Sequence, residues 1–376
     1  MSSRNKHLII LVICIIAPLA TMAQLYNIPV WRTRMLFAGD LMQHKEQLRT
    51  ARMSDGTYSY SGYYKHIKKI VQDADIAIAN LETTIGKSGF GGYPAFCAPD
   101  SFLYAAIGAG FDVMLLANNH CLDRGKKGVM HTLALLDSTG TLHCGVYRNS
   151  IEREERYPLL IKDKGTRIAL LNYTYGTNGI NVPEPIVVNF IDKEVIAKDI
   201  AKAKEMRADY IIACMHWGDE YVSVAPKHVK EMADWLIEQG VSHIIGSHPH
   251  VIQPIEIREN RNTPDRHAVI YSTGNLVSNM SLRRTDGGVM INMDLRKILG
   301  YPQLHSLEYI YTWIAPKDNN GKRDYTILPA ATTIITGNKE AERRLEQFLD
   351  DSRTLFKKYN KGNVKEFFTD TIRIAY

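Results

Sequence analysis

A chain of 376 residues with 45% hydrophobic and 23% charged side chains carries enough apolar material for a sizeable core, which excludes global disorder. Its net charge of +6 is modest, and the basic cluster KHIKK at 65–69 reads as a solvated helix face, so no nucleic-acid partner is expected.

Taken in chain order, the first feature is a leader. Arg4 and Lys6 precede LIILVICIIAPLA, an apolar run of thirteen residues, and Thr21-Met22-Ala23 then offers small residues before Gln24. That order is the order of a secretory signal, and the run is short for a membrane span, which needs ~20 residues. Residues 1–23 are therefore read as a signal peptide and 24–376 as one domain, with a motif-bearing core at 34–280 and C-terminal strands and a helix at 281–376. The expected destination is the periplasm or cell envelope, membrane-anchored if the segment stays uncut. Cys14 follows Ile13, which argues against lipid attachment. Cys97, Cys121, Cys144 and Cys214 remain, with no CxxC pair, and Cys214 in YIIACM reads as a buried free thiol.

Apolar runs of strand length follow, and most end in polar residues that packing does not require. MLFAG ends in Asp40, IAIAN runs into Glu82, VMLLA into Asn118-Asn119-His120, IIACM into His216, and HII into Gly246-Ser247-His248-Pro249-His250. Helical stripes are expected between them at 62–73, 101–109, 125–138, 193–206 and 227–239. Such alternation predicts parallel strands covered on both faces, with ligands collecting at their carboxyl ends. Residues 175–190, rich in Gly, Asn and Pro, read as a long loop on that side. Beyond the histidine pair, 268–273, 288–295 and 304–314 are expected as antiparallel strands, and 338–357 as a charged terminal helix.

The strand ends together supply carboxylates (Asp40, Glu82), amide oxygens (Asn80, Asn119) and imidazoles (His120, His216, His248, His250). That donor set suits hard or borderline divalent cations, and a two-ion site needs a carboxylate able to bridge. Scattered cysteines make a thiolate zinc site a poor fit. In GSHPH, residues i and i+2 of an extended segment would share a face and converge on one or two ions.

The segments FAGDLM, ADIAIANLETTIG, GFDVMLLANNHCLDRGKKGV, CMHWGDEYV, IIGSHPHVIQP and YSTGNLV, spanning 36–277, resemble the capsule-synthesis family of CapA, or poly-γ-glutamate synthesis, type. That family sits among the calcineurin-like metallophosphoesterases. The resemblance implies an α/β fold of calcineurin-like metallophosphatase type, a β-sandwich of mixed sheets flanked by helices in four layers, α/β/β/α. It also implies two divalent ions, of manganese, zinc or iron. Asp40 and His250 would bind the first, Asn119, His216 and His248 the second, and Glu82 would bridge, with Asn80 as the other candidate for that place. His120 would assist the leaving group, with Asp123 fixing its ring. Such phosphoesterases open on Asp-x-His, whereas this chain has Asp40-Leu41-Met42; His44 is a candidate replacement.

Trp217, Glu220 and Tyr221 are expected to shape the substrate mouth, with packing beneath the loop as the alternative, and Asn275, a substrate-side candidate, to hydrogen-bond within the site. Arg124 and Lys126 read as a solvated pair. Neither a Ser/His/Asp nucleophile nor a Gly-rich phosphate loop appears, so covalent and kinase-like mechanisms lack support. The expected function is an exported protein acting in capsule or poly-γ-glutamate synthesis, processing or export through a metal-centred hydrolase-type site, with membrane ligase or export partners. The alternatives are a periplasmic phosphoesterase acting on a small phosphoester, and a non-catalytic binding or export component.

Overall fold

Two mixed sheets pack through a shared apolar core, and the parallel strands of both end on one side. The computed structural model describes residues 30–376 apart from 260–264, 316 and 319. The leader read at 1–23 lies outside the described residues.

The chain begins in β1 (Val30–Leu41) and passes through α1 (Lys45–Ala51) and α2 (Lys68–Gln72) to β2 (Ile76–Leu81). It continues through α3 (Asp100–Ala109), β3 (Val113–Leu115), α4 (Gly125–Thr139) and β4 (Leu142–Cys144). Strands β1 to β4 pair in parallel, in sequence order. After α5 (Ser150–Arg156) the chain crosses to a second sheet: β5 (Leu159–Asp163), β6 (Thr166–Thr174), α6 (Lys193–Glu205), β7 (Tyr210–His216), α7 (Lys227–Gln239), β8 (His243–Ser247), β9 (Ile255–Glu259) and β10 (Arg266–Ile270). Its order is β9-β10-β8-β7-β6-β5. The chain then returns to the first sheet. β11 (Asn275–Val277) pairs in parallel with the end of β1 on the edge opposite β2, and on that same edge β12 (Gly287–Ile298), β13 (Tyr301–Ile314) and β14 (Ile327–Pro329) extend the sheet antiparallel. α8 (Lys339–Tyr359) follows.

The local chemistry explains these elements. The central strand β7, YIIACMH, is buried at every position, as an apolar run covered on both faces should be. α6 starts where the Asp192 carboxylate accepts from the Glu194 and Val195 N–H groups. On β1, alternation sends Met35 and Phe37 into the core shared with the second sheet and Leu36 and Ala38 into the core under α3 and α4. Val229, Ala233 and Leu236 of α7, and Ile196, Ile200 and Ala203 of α6, pack with the second sheet. The layers therefore run helices, sheet, sheet, helices. α8 sets Phe356 edge-on to Tyr309 of β13, with ring centroids 4.9 Å apart. Among the described residues, no helix is long and apolar enough to cross a membrane.

Three details differ from the sequence reading. The helix expected over 62–73 is split into a 3-10 turn at Ser61–Tyr64, which buries Tyr63 and Tyr64, and the short α2, which buries Val71. The strand expected at 268–273 is β10, which is antiparallel to β9 but parallel to β8. The hairpin β5–β6 was not anticipated at all. It matters, because Asn172 on β6 ties the sheets together: its Oδ1 accepts from the Leu116 and Ala117 N–H groups at 3.1 and 2.8 Å, just past the end of β3.

A candidate metal centre at the strand ends

Asp40 sits near the end of β1, Asn80 near the end of β2 with Glu82 just beyond it, and Asn118 to His120 follow β3. His216 closes β7, and His248 and His250 follow β8. Strands from both sheets thus deliver polar side chains to one rim. Two glycines allow the backbones to come this close. A Cβ at Gly39 would lie 2.0 Å from the Gly274 carbonyl oxygen, and one at Gly246 would lie 1.9 Å from that of Tyr271.

The GSHPH segment is not the extended stretch the spacing suggested. His248 and His250 have φ of +97° and +56°, a left-handed backbone that non-glycine residues rarely adopt and that concentrates at functional sites. The two rings diverge, with centroids 5.9 Å apart. Each joins a different set of neighbours.

Asp40 Oδ1 accepts from the Asn80 amide at 2.8 Å, while Asp40 Oδ2 lies 3.3 Å from His250 Nδ1. Glu82 Oε1 lies 3.6 Å from His216 Nε2 and 3.7 Å from His250 Nε2. Such separations are long for hydrogen bonds. They approach the ~3.0–3.4 Å between neighbouring ligands when each stands ~2.1 Å from one ion. Asp40 Oδ2, Glu82 Oε1 and His248 Nδ1 are buried without a hydrogen-bond partner. Three sets of donor atoms are close enough to share a cation: Asp40, Glu82 and His250; Glu82, His216 and His248; and Glu220, His248 and His250. Glu82 belongs to two of them. The residues present therefore fit a divalent cation, in donor chemistry and in their unmatched buried atoms.

Without a cation this arrangement is electrostatically uncomfortable. Burial, and then the Asp40 charge beside it, pushes the Glu82 carboxyl well above its usual range. Burial and the neighbouring His248 drive the His216 ring well below its ordinary value, and burial with His250 takes His248 down to about 3.

Asn119 Oδ1 lies 2.8 Å from His216 Nε2, which puts this amide oxygen with the second set. Asn80 directs its amide at Asp40 and, at 3.5 Å, at Glu82, and its oxygen faces the Asn118 amide at 3.4 Å. Of the two candidates for the bridging place, only Glu82 keeps an unengaged oxygen. His120 Nδ1 is 2.8 Å from Asp123 Oδ2, which also accepts from the Phe96 N–H at 2.6 Å. Phe96 stands edge-on to the ring at 4.5 Å, so the imidazole is fixed through Nδ1.

The remaining expected residues divide between structural places, the wall of the site and its rim. His44 belongs to none of the three sets; it precedes α1 as its N-cap, and its Nδ1 accepts from the Asn279 N–H at 3.2 Å. Trp217 is buried and donates its indole N–H to the Tyr271 carbonyl at 3.0 Å, so it packs beneath the loop and not at a mouth. Asn275 is buried too; its Oδ1 is 3.1 Å from His250 Nδ1 and its amide donates to the Thr285 carbonyl, so it orients that imidazole. Glu220 and Tyr221 are exposed at the rim.

Sequence reasoning missed Tyr175, whose ring centroid is 4.6 Å from that of His248, and Asn178, which accepts from the Asn119 amide at 3.2 Å. Both lie on the loop at 175–190, whose composition was the available signal. Sequence reasoning named Asn118 without giving it a role; its Oδ1 accepts from the His120 N–H and its amide donates to the Leu81 carbonyl, binding the His120 turn to the end of β2.

Fold and site together define a class: a two-sheet α/β protein whose strand ends gather a divalent-cation donor set. Solved structures that align with the chain include NAD nucleotidase of Haemophilus influenzae, at TM-score 0.48 and 11% identity over 86% of this chain and 63% of that one. A calcineurin-like phosphoesterase of Bacillus subtilis aligns at TM-score 0.43 and 15% identity over 86% of this chain and 98% of that one.

Residues 34–280 match the family model described as bacterial capsule synthesis protein PGA_cap, and the chain belongs to that family. Among curated relatives, it is 24% identical to the capsule biosynthesis protein CapA of Bacillus anthracis over 273 residues, covering 70% of this chain and 64% of that protein. It is 29% identical to the PGA biosynthesis protein CapA of Bacillus subtilis over 197 residues, covering 50% and 48%. The chain thus spans about half to two thirds of the length of these relatives.

Proposed function

We propose that this chain is an exported protein that cuts or processes an anionic polymer of the capsule or envelope, of poly-γ-glutamate or related type, at a two-cation hydrolytic centre. Family membership and the names of the curated relatives support the polymer. One observation carries the chemistry: Glu82 is shared between the Asp40–His250 set and the His216–His248 set, as a carboxylate spanning two adjacent ions must be.

Asp40 and His250 would hold one ion, Asn119, His216 and His248 the other, and Glu82 both. A pair of divalent cations there would supply Lewis acidity, polarising the bond under attack and acidifying water. The remaining work belongs to the chain. His120, fixed through Nδ1 by Asp123, offers Nε2 to give a proton to the leaving group. Asn118 holds the His120 turn against β2, and Asn275 holds His250. Tyr175 and Tyr221, both about half exposed, provide apolar faces with hydroxyl edges on which an extended substrate can lie. Export would place this chemistry in the periplasm or envelope, alongside membrane-bound synthesis or transport partners.

The test uses the protein loaded with Mn²⁺ or Zn²⁺ and offered poly-γ-glutamate, with chain length followed by gel filtration, and an aryl phosphate in parallel. Polymer shortening is expected, with His120→Ala slowing it about 10²–10⁴-fold while metal content stays unchanged. Turnover of the aryl phosphate alone would replace this reading with a small-phosphoester hydrolase. Retained metal without turnover of either would leave a binding component.

A further inference from the structure

The loop after β7 leaves the core at Trp217 and returns toward the site. Gly218 (φ +86°) and Tyr221 (φ +65°) turn it, the Tyr221 N–H donates to the Pro249 carbonyl at 2.8 Å, and the Gln253 amide donates to the Val222 carbonyl at 2.6 Å. Glu220 is therefore clamped on its C-terminal side to the turn that carries His248 and His250. Its Oε1 lies 4.0 Å from His250 Nε2, and with His248 and His250 it forms the third set of donors close enough to share a cation. Two of those three side chains are buried, and the His248 Nδ1 has no hydrogen-bond partner. Among the described residues, Asp40, Glu82 and His250 give the ion beside them three protein ligands, which leaves at least one place for water or a further side chain. Just past the end of β1, the residue two beyond Asp40 is Met42, a buried thioether that suits none of these ions as a hard donor. Burial and then the Glu220 charge push both Tyr175 and Tyr221 up to about 12, so this carboxylate stands amid the rim hydroxyls.

Resting on the two-cation reading above, we propose that Glu220 is a metal ligand. It closes the coordination of the cation beside His250 from the solvent side, and so links the mouth of the site to metal loading. Of the side chains in the three sets, Glu220 is the exposed one, so it can swing away and return without unpacking the core.

The experiment is calorimetric titration of the metal-stripped full chain with Mn²⁺ and, separately, Zn²⁺, followed by ion counting after dialysis. Wild type should bind two ions. Glu220→Gln should lose one of them or bind it at least tenfold more weakly, Glu220→Asp should fall between, and Glu238→Gln, an exposed change on α7, should match wild type. Thermal unfolding of the metal-free variants shows that each is folded. If Glu220→Gln binds both ions within twofold of wild type, the ligand assignment is overturned and the two-cation reading stands. If wild type binds neither ion, both fall together.

Discussion

Two buried polar clusters in this molecule look alike in composition and differ in completeness. Beneath α5 and α6, Arg153 donates to Asn189 at 2.7 Å and to Asp199 at 2.6 Å, Tyr173 donates its hydroxyl to the same Asp199 oxygen at 2.8 Å, and the Asn189 amide reaches the Asn172 carbonyl. Each charge there has an opposite charge. At the strand ends, two buried carboxylates and three buried imidazoles leave Asp40 Oδ2, Glu82 Oε1 and His248 Nδ1 unmatched. The first cluster is finished by the chain itself and serves as structure. The second is an acceptor-rich cage whose donor chemistry suits a divalent cation.

The sharpest way to break that contrast is to remove one member from each. Arg153→Ala strands the Asp199 carboxylate in the core and should cost about 3 kcal/mol in urea unfolding, at the low end for a buried pair because Arg153 keeps some exposure. Asp40→Asn, in contrast, relieves two carboxylates of each other, so metal-free stability should hold or rise while cation binding weakens. Equal destabilisation by both changes would mean that the strand-end cluster is also structural.

Adding a cation comes next in size. A divalent cation at 100 times its dissociation constant should raise the unfolding free energy by about 2.7 kcal/mol. Glu82→Gln should abolish most of that gain, and the Arg153 cluster should not respond.

How much of this contrast was written in the sequence depends on where each residue sits along its strand. Asp40, Glu82, Asn119, His216, His248 and His250 were legible because each interrupts or follows an apolar run at a strand end, where packing has no use for it. Helices α3, α4, α6 and α7 were legible from their stripes. β6 was not, because TRIALLNYT ends in Thr and Tyr, residues any strand accepts, and α5 was not, because it buries no residue and so shows no stripe. The inward turn of Trp217 and the return of Glu220 follow from positive φ at Gly218 and Tyr221, which spacing alone does not encode. His44 and Asn275 carry metal-compatible chemistry, yet their partners are a backbone N–H and a neighbouring imidazole, contacts made only by the fold.

A smaller effect separates the site histidines from one that is purely structural. His243, fully buried at the start of β8, accepts from the Ala268 N–H at 3.2 Å, and burial together with nearby His267 lowers its pKa from 6.5 to about 3. The unfolded chain takes up a proton at this ring first as pH falls. Its contribution is therefore complete above pH 6.5 and is lost progressively toward pH 3. His243 alone should contribute about 1 kcal/mol to the drop in unfolding free energy between pH 6 and pH 5, and His243→Gln should remove that share. An unchanged slope would place the acid sensitivity elsewhere.

Elemental analysis of the protein purified from cells that make it, without added metal, tests the central claim most directly. The cage should carry up to two manganese, zinc or iron ions per chain, and fewer than one in Glu82→Gln. A wild-type chain free of these metals, and equally stable with and without added cations, would contradict it.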